Sequence, residues 1–226
     1  MPALTNIDAC VFDAYGTLFD VTAAAKNCQD DLGDQWAQLA QIWREKQLQY
    51  SWLRSLMDEY VSFWQVTQDA LDYALATLKI GDADLRKRLL DIYLQLGAYP
   101  EVAGMLKTLK GAGLKTAILS NGSPEMLASA VANAGLDGVL DNVFSVEKLG
   151  IFKPDSRVYQ MAVDDLGVPK ERICFMSSNS WDACGGANFG FRVVWVNRFG
   201  QAEEGLPGQQ EHEITNLSEL PPLFGL

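Results

Sequence analysis

The segment Ile7–Phe12 is mostly apolar and runs directly into Asp13-Ala14-Tyr15-Gly16-Thr17-Leu18. A short apolar run closed by a Tyr-Gly turn signal predicts a buried strand. Asp13 stands where that strand stops, and in open α/β sheets sites are built at the carboxyl ends of strands. A carboxylate can act as a nucleophile at neutral pH because no proton has to be removed from it. Gly16 lets the backbone turn sharply, and the Thr17 hydroxyl can orient Asp13. The same residues also fit an Asx turn that only terminates the strand.

Strand-like texture then disappears until about residue 114. Trp36, Leu39, Ala40 and Trp43 recur at i, i+3, i+4 and i+7, the pattern of an amphipathic helix, and Leu48 continues that side. Leu56–Leu78 is helix-like, with Tyr60, Phe63, Trp64 and Leu71. Leu85, Leu89, Ile92 and Leu96 form another stripe that ends near Gly97. Residues 21–97 therefore read as a helical block inserted between the first strand and its continuation, leaving 1–20 and 98–226 as the core domain. Core packing accounts for most of the aromatics in the block. Arg44, taken alone, reads as a solvated helix charge.

From Tyr99-Pro100 onward helices and strands alternate, which predicts a doubly wound parallel sheet. Glu101–Lys110 is a predicted helix, Lys115–Leu119 a strand leading into Ser120-Asn121-Gly122-Ser123. Ser123-Pro124-Glu125 reads as a helix cap, a first-turn proline and a first-turn acid. Val143–Val146 is a short strand followed by Lys153-Pro154, and Asp155 caps a helix carrying Val158, Tyr159, Ala162 and Leu166. Ile173–Met176 is a strand that ends in Ser177-Ser178-Asn179-Ser180-Trp181-Asp182, and Phe191–Val196 is the last clear strand. Beyond Phe199 the chain is polar, and His212 is expected to be solvent-exposed there.

The 226 residues suffice for one domain with a sizeable insertion, and 48% hydrophobic with 21% charged residues is the composition of a globular protein with a full core. A net charge of -11 argues against nucleic acid and anionic membrane as partners. It also requires that an anionic substrate meet locally placed cations. Cys10, Cys28, Cys174 and Cys184 lack metal-ligand spacing, and reduced thiols are expected. No leader pattern or membrane-length apolar run is present, so a cytoplasmic location is expected. His212 is the only histidine, which leaves no Ser-His or Cys-His triad to build.

In a parallel sheet the strand ends share one edge, so Ser120-Asn121, Lys153 and Ser177–Asp182 can converge on Asp13. The order and content of these clusters resemble the haloacid dehalogenase superfamily, whose first motif is hydrophobic-Asp-x-x-Gly-Thr-Leu. The form Asp13-Ala14-Tyr15-Gly16-Thr17-Leu18 is similar to the 2-haloacid dehalogenase branch. Phosphatases of the superfamily carry a second Asp where this chain has Tyr15. A phosphate ester expels a poor leaving group that needs a general acid, whereas a halide needs only desolvation and hydrogen-bond donors. Phosphatases also usually read Gly-Asp-x-x-x-Asp where this chain has Ser177–Asp182.

The resemblance implies a Rossmann-like α/β core with a helical cap, and hydrolysis of (S)-2-haloalkanoic acids to (R)-2-hydroxyalkanoic acids through an aspartyl ester. It makes Asp13 the nucleophile, with Thr17 beside it and Lys153 holding it ionised. Ser120 and Asn121 would bind the substrate carboxylate and departing halide, and the backbone of Ala14 and Tyr15 would cradle the carboxylate. Arg44 would form the halide or C2-substituent site, with Leu48, Phe63 and Trp181 as apolar walls. Tyr159 would support Lys153, while Ser177, Asn179 and Asp182 would position the hydrolytic water. No cofactor and no metal are implied; the partner is a small halogenated carboxylic acid. A homodimer is implied too, for which the Trp-rich block offers an interface. The alternatives are a magnesium-dependent phosphatase of the same superfamily and a non-catalytic protein that binds a small acid.

Overall fold

The computed structural model describes residues 4–226; residues 1–3 of the expected core segment lie outside the described residues. The strands are β1 (Ala9–Phe12), β2 (Lys115–Ser120), β3 (Asn142–Ser145), β4 (Ile173–Ser177), β5 (Arg192–Val196) and β6 (His212–Ile214). They form a six-stranded sheet in the order β3-β2-β1-β4-β5-β6. Every neighbouring pair is parallel. A parallel sheet is covered on both faces, so its strands are apolar throughout rather than alternating. Ala9, Cys10, Val11 and Phe12 of β1 are accordingly all inaccessible, as are Ile173–Met176 of β4.

The helices are α1 (Ala23–Asn27), α2 (Gln29–Leu32), α3 (Trp36–Met57), α4 (Phe63–Thr77), α5 (Ala83–Tyr93), α6 (Val102–Gly111), α7 (Pro124–Asn133), α8 (Ser156–Leu166), α9 (Ser180–Phe189) and α10 (Leu220–Leu223). Helices α1 to α5 all fall between β1 and the rest of the sheet in sequence. The chain leaves and rejoins the sheet side by side: Asp20 N–H donates to Gly97 O at 3.1 Å, and Tyr99 N–H donates to Leu18 O at 2.9 Å. Ser123 caps α7 by accepting from Met126 N–H, and Asp155 caps α8 by accepting from Arg157 N–H, as those sequences led us to expect. Such caps satisfy otherwise orphaned amides and are each worth about 0.5–2 kcal/mol.

The structure corrects several boundaries. The helix-like run from Leu56 to Leu78 is broken: α3 ends at Met57, Asp58 takes a left-handed φ of 57°, and Ser62 caps the start of α4. Leu56 belongs to the end of α3, where it is 83% exposed. The stripe through Leu96 outlasts its helix, since α5 stops at Tyr93 and Leu96 is buried in the return segment. The sheet also continues past Val196 into β6. His212, expected in solvent, is buried there because Val194 pairs with it across the β5–β6 ladder.

Candidate active site

Strand register sets where the chemistry lies. Phe12 pairs with Ile118 on one side and Met176 on the other, so β1, β2 and β4 release their next residues at one edge. The chain order reverses across β1, with β2 and β4 on opposite sides of it, the switch point at which α/β sheets open a crevice. Asp13 sits at that point, 6% exposed.

The two oxygens of Asp13 are held differently. Oδ1 accepts from the Lys153 ammonium at 3.2 Å. Oδ2 accepts from Asn179 Nδ2 at 2.9 Å and from the Thr17 hydroxyl at 3.1 Å. The Thr17 oxygen in turn receives the Ser178 N–H at 2.8 Å, which fixes the hydroxyl from behind. Gly16, in the turn that carries Thr17, has φ 93°, a conformation that a side chain would strain.

Lys153 is buried and donates a second bond to Asp182 Oδ2 at 2.8 Å. Burial is the largest influence on its ammonium and opposes the charge, but the carboxylates of Asp13 and Asp182 outweigh it and leave the pKa raised. The two carboxylates therefore favour the charged form of Lys153. Burial pushes the Asp182 carboxyl up, while Lys153 and the Tyr159 hydroxyl, at 2.8 Å from Oδ1, pull back. Tyr159 was expected to support Lys153; its hydroxyl bonds Asp182 instead, so any support reaches Lys153 through that carboxylate. The Tyr159 ring is fixed among Phe175, Phe189 and Phe191.

Ser120 and Asn121 close β2. Ser120 Oγ accepts from Gly122 N–H at 3.1 Å, and Asn121 Oδ1 accepts from Lys153 N–H at 3.0 Å, which holds the lysine loop against the β2 end. Ser177 Oγ accepts from Asn179 N–H at 3.1 Å and shapes the turn into α9. Arg44 reaches the site from α3, donating to Asn179 Oδ1 at 3.0 Å and to Tyr15 O at 3.4 Å. That contact orients the Asn179 amide, leaving its nitrogen to face Asp13.

Tyr15 is buried, stacked on Tyr93 at 5.8 Å and tilted against Phe63 and Phe19. Burial pushes its phenol well above the ordinary value, with smaller contributions from Tyr93 and Asp13, so it stays protonated and neutral. Ala14 is buried and its carbonyl accepts from the N–H groups of Thr17, Leu18 and Phe19 within the turn.

A cleft of about 580 Å³ opens on the far side of Arg44 and Asn179, between the helical block and the sheet edge. Leu48 and Trp181 line it, whereas Phe63 does not; Phe63 is buried against Tyr15 and Phe152. Among the described residues, no group of three or more His, Cys, Asp or Glu is placed to hold a metal ion.

Three contributors escaped the sequence reading. Gly122 packs so tightly that an added Cβ would stand 2.7 Å from Tyr15 Cε2. Ser178 anchors Thr17. Arg198, two residues beyond β5, donates to Thr17 O at 2.9 Å, pairs with Glu101 at 2.6 Å and lies 3.9 Å over the Tyr99 ring. Its position after a strand end was the signal available for finding it.

Known proteins resemble this chain in sequence and fold. The sequence model of the haloacid dehalogenase-like hydrolases matches residues 7–190. (S)-2-haloacid dehalogenase 1 of Pseudomonas sp. strain CBS-3 is 48% identical over 96% of this chain and 96% of its own length. (S)-2-haloacid dehalogenase 4A of Burkholderia cepacia is 47% identical over 97% of this chain and 95% of its own. The solved structure of the L-2-haloacid dehalogenase from Xanthobacter autotrophicus with chloropropionic acid covalently bound superposes with a TM-score of 0.89 at 39% identity, covering 96% of this chain and 98% of that one. With its Rossmann-like parallel sheet and this sequence match, the chain belongs to the haloacid dehalogenase-like hydrolase family.

Proposed function

We propose that the chain is an (S)-2-haloacid dehalogenase that hydrolyses the carbon–halogen bond through an ester on Asp13. The carrying observation is a buried carboxylate held by Lys153, Thr17 and Asn179, with the neutral Tyr15 where a phosphatase has its acid. Relatives at 48% and 47% identity named for that reaction support the reading.

In the first step an oxygen of Asp13 attacks C2 from the side opposite the halogen. The C–O bond forms as the C–X electron pair leaves with the halide, and C2 inverts. Ser120, Asn121 and the Ala14–Tyr15 backbone hold the substrate carboxylate, while Arg44 receives the halide; two fixed points align C2 for in-line attack. The helical block, residues 21–97, serves as the cap over the core of 1–20 and 98–226. By excluding water it strips the hydration that weakens a carboxylate nucleophile.

Esterification removes the charge of Asp13, and Lys153 then keeps Asp182 as its counter-ion. Water positioned by Ser177, Asn179 and Asp182 attacks the Asp13 carbonyl carbon. Asp182, whose carboxyl burial pushes up, accepts the water proton. The ester C–O bond breaks as Asp182 returns that proton to the departing oxygen of the 2-hydroxy acid. The Asp13 carboxyl so formed loses the second water proton to solvent, so that Asp13 is regenerated as a carboxylate and one proton is released per halide. No cofactor enters this scheme.

The same reading makes the chain a homodimer joined through the helical block, supported by exposed Leu53, Leu56, Met57 and Tyr73 on α3 and α4. It places the enzyme in the cytoplasm, a reducing setting that suits four buried free cysteines. Among the described residues no helix is long and apolar enough to cross a membrane.

The test is halide release from each enantiomer of 2-chloropropionate, alongside phosphate release from an aryl phosphate, each with magnesium and with chelator. Chloride from the (S) enantiomer only, with (R)-lactate as product, and its loss in Asp13→Asn are expected. Magnesium-dependent phosphate release without any chloride would overturn the assignment.

A further inference from the structure

The main chain that delivers Lys153 is held from two sides. The Lys153 N–H donates to Asn121 Oδ1 at 3.0 Å, a contact with the residue that follows β2. One residue earlier the Phe152 N–H donates to Ser55 Oγ at 3.1 Å, and Ser55 belongs to the last turn of α3. The Phe152 carbonyl accepts from Asp155 N–H at 3.2 Å, and Asp155 caps α8. Both backbone polar groups of Phe152 are thus paired, one with the helical block and one with the core.

The Phe152 side chain follows its amide into the block. It is 1% exposed, and its ring centroid lies 4.9 Å from that of Tyr60 and 6.0 Å from that of Phe63. Tyr60 also covers Gly150, where an added Cβ would stand 4.0 Å from the Tyr60 ring. This socket exists because α3 stops at Met57, the left-handed Asp58 turns the chain, and α4 begins at Phe63. An unbroken helix would set Ser55 and Phe63 about 12 Å apart along its axis, too far to hold one residue between them. Phe63 reaches further, for its ring lies 6.2 Å from Tyr15, two residues after Asp13. One corner of the block therefore touches both the lysine loop and the nucleophile loop.

A free lysine side chain samples many rotamers. Here Nζ is held 3.2 Å from Asp13 Oδ1 and 2.8 Å from Asp182 Oδ2, which requires a fixed main chain behind it. A shift of about 1 Å at Phe152 passes directly to that contact, and misplacement of this size can cost about 100-fold in rate. We propose that Phe152 is a positioning residue, whose seating in the α3–α4 corner sets the Lys153 ammonium between Asp13 and Asp182. The helical block thereby places Lys153 as well as covering the site. The kinetic part of the inference rests on the dehalogenase reading above, whereas the placement of Lys153 is measured without it.

The experiment combines steady-state kinetics on (S)-2-bromopropionate with covalent footprinting of the full chain. Reductive methylation, read by mass spectrometry, reports access to Lys153, with the exposed Lys148 as internal standard. Iodoacetamide labelling of Cys10 and Cys174, both inaccessible on β1 and β4, reports opening of the sheet. In Phe152→Ala, kcat should fall at least about tenfold with KM within about threefold, the pattern of an interaction that acts in the transition state. Lys153 should methylate at least about tenfold faster relative to Lys148 while both thiols stay protected. Ser55→Ala should move the same readouts by about threefold, and Ser55→Thr, which keeps the hydroxyl, should return them to within about twofold of the parent. Should Phe152→Ala not fold, Ser55→Ala against Ser55→Thr decides by the same readouts.

A raised KM with unchanged kcat would overturn the inference, since Phe152 would then serve substrate binding alone. So would Lys153 protection equal to the parent's in the variant that folds. Thiols and Lys153 becoming accessible together would overturn it as well, being the mark of general loosening. If the parent protein releases no halide from bromopropionate, the dehalogenase reading fails and the footprint decides by itself. Faster Lys153 methylation with protected thiols then supports the socket; unchanged methylation overturns it.

Discussion

Lys153 carries the charge balance of the centre. Its ammonium lies between Asp13 and Asp182, and removing it would leave two buried carboxylates facing each other. Breaking a buried ion pair from one side typically costs about 3–5 kcal/mol. Lys153→Met is expected to lose that order of stability in urea unfolding, together with activity; an unchanged midpoint would mean that the pair is not buried in solution. Gly122 acts by having no side chain. Gly122→Ala must displace the Tyr15 ring, so kcat/KM for a 2-haloacid should fall at least about tenfold while the thermal midpoint moves by only a few degrees. Asp13 could be found from sequence because it directly follows β1, whereas Lys153 lies beyond the turn after β3 and Asp182 within α9, where the family resemblance was the signal that singled them out. Gly122 and Ser178 could not be found, since their importance lies in close approaches made only after the chain has folded.

At the scale of elements, helix α3 is both a scaffold and a supplier of site residues. Arg44 points to the sheet edge, and one turn later Gln47 enters a buried network on α4 and α5. Its Nε2 donates to Thr67 Oγ1 at 2.9 Å and to Tyr93 OH at 3.1 Å, while the Thr67 hydroxyl donates to Phe63 O at 2.8 Å. Gln47→Ala leaves Thr67 and Tyr93 without that donor, and buried polar groups deprived of a partner cost about 1–3 kcal/mol each. The expected result is a lower urea midpoint with an unchanged m-value; a neutral outcome would mean that water replaces the amide. The strands of the inner sheet could be read as apolar runs because both faces are covered. Strand β6 could not, because His212-Glu213-Ile214 is too short to show a pattern and is a strand only through its pairing with β5. The α3–α4 break was hidden for a related reason: apolar residues continue across it, and the turn depends on the backbone of Asp58.

The whole molecule carries a pH signature. Burial pushes the thiols of Cys10 and Cys174 and the phenols of Tyr15 and Tyr159 up, and the pKa of Lys153 is raised as well. Each such group holds its proton in the folded state to a higher pH than in the unfolded chain. Unfolding therefore releases protons above the ordinary values of about 8.5 for thiols and 10 for phenols and lysine, and stability falls as pH rises. Urea midpoints should be level from pH 7 to about 8.5 and then decline toward pH 11. A level profile through pH 11 would show that these groups are solvated.

The partners of Asp13 lie far along the chain: Lys153 is 140 residues away and Asn179 is 166. Ribosomes add roughly 5–20 residues per second, so the nucleophile emerges about 7–30 seconds before its lysine does. For that interval Asp13 is an ordinary hydrated carboxylate on an unfinished sheet. No N-terminal fragment can hold the assembled centre, and a nascent chain has no reactive aspartate to protect. Catalytic competence is thus a late event in the life of each molecule, and the appearance of halide in a synchronised translation reaction would time the closing of the sheet.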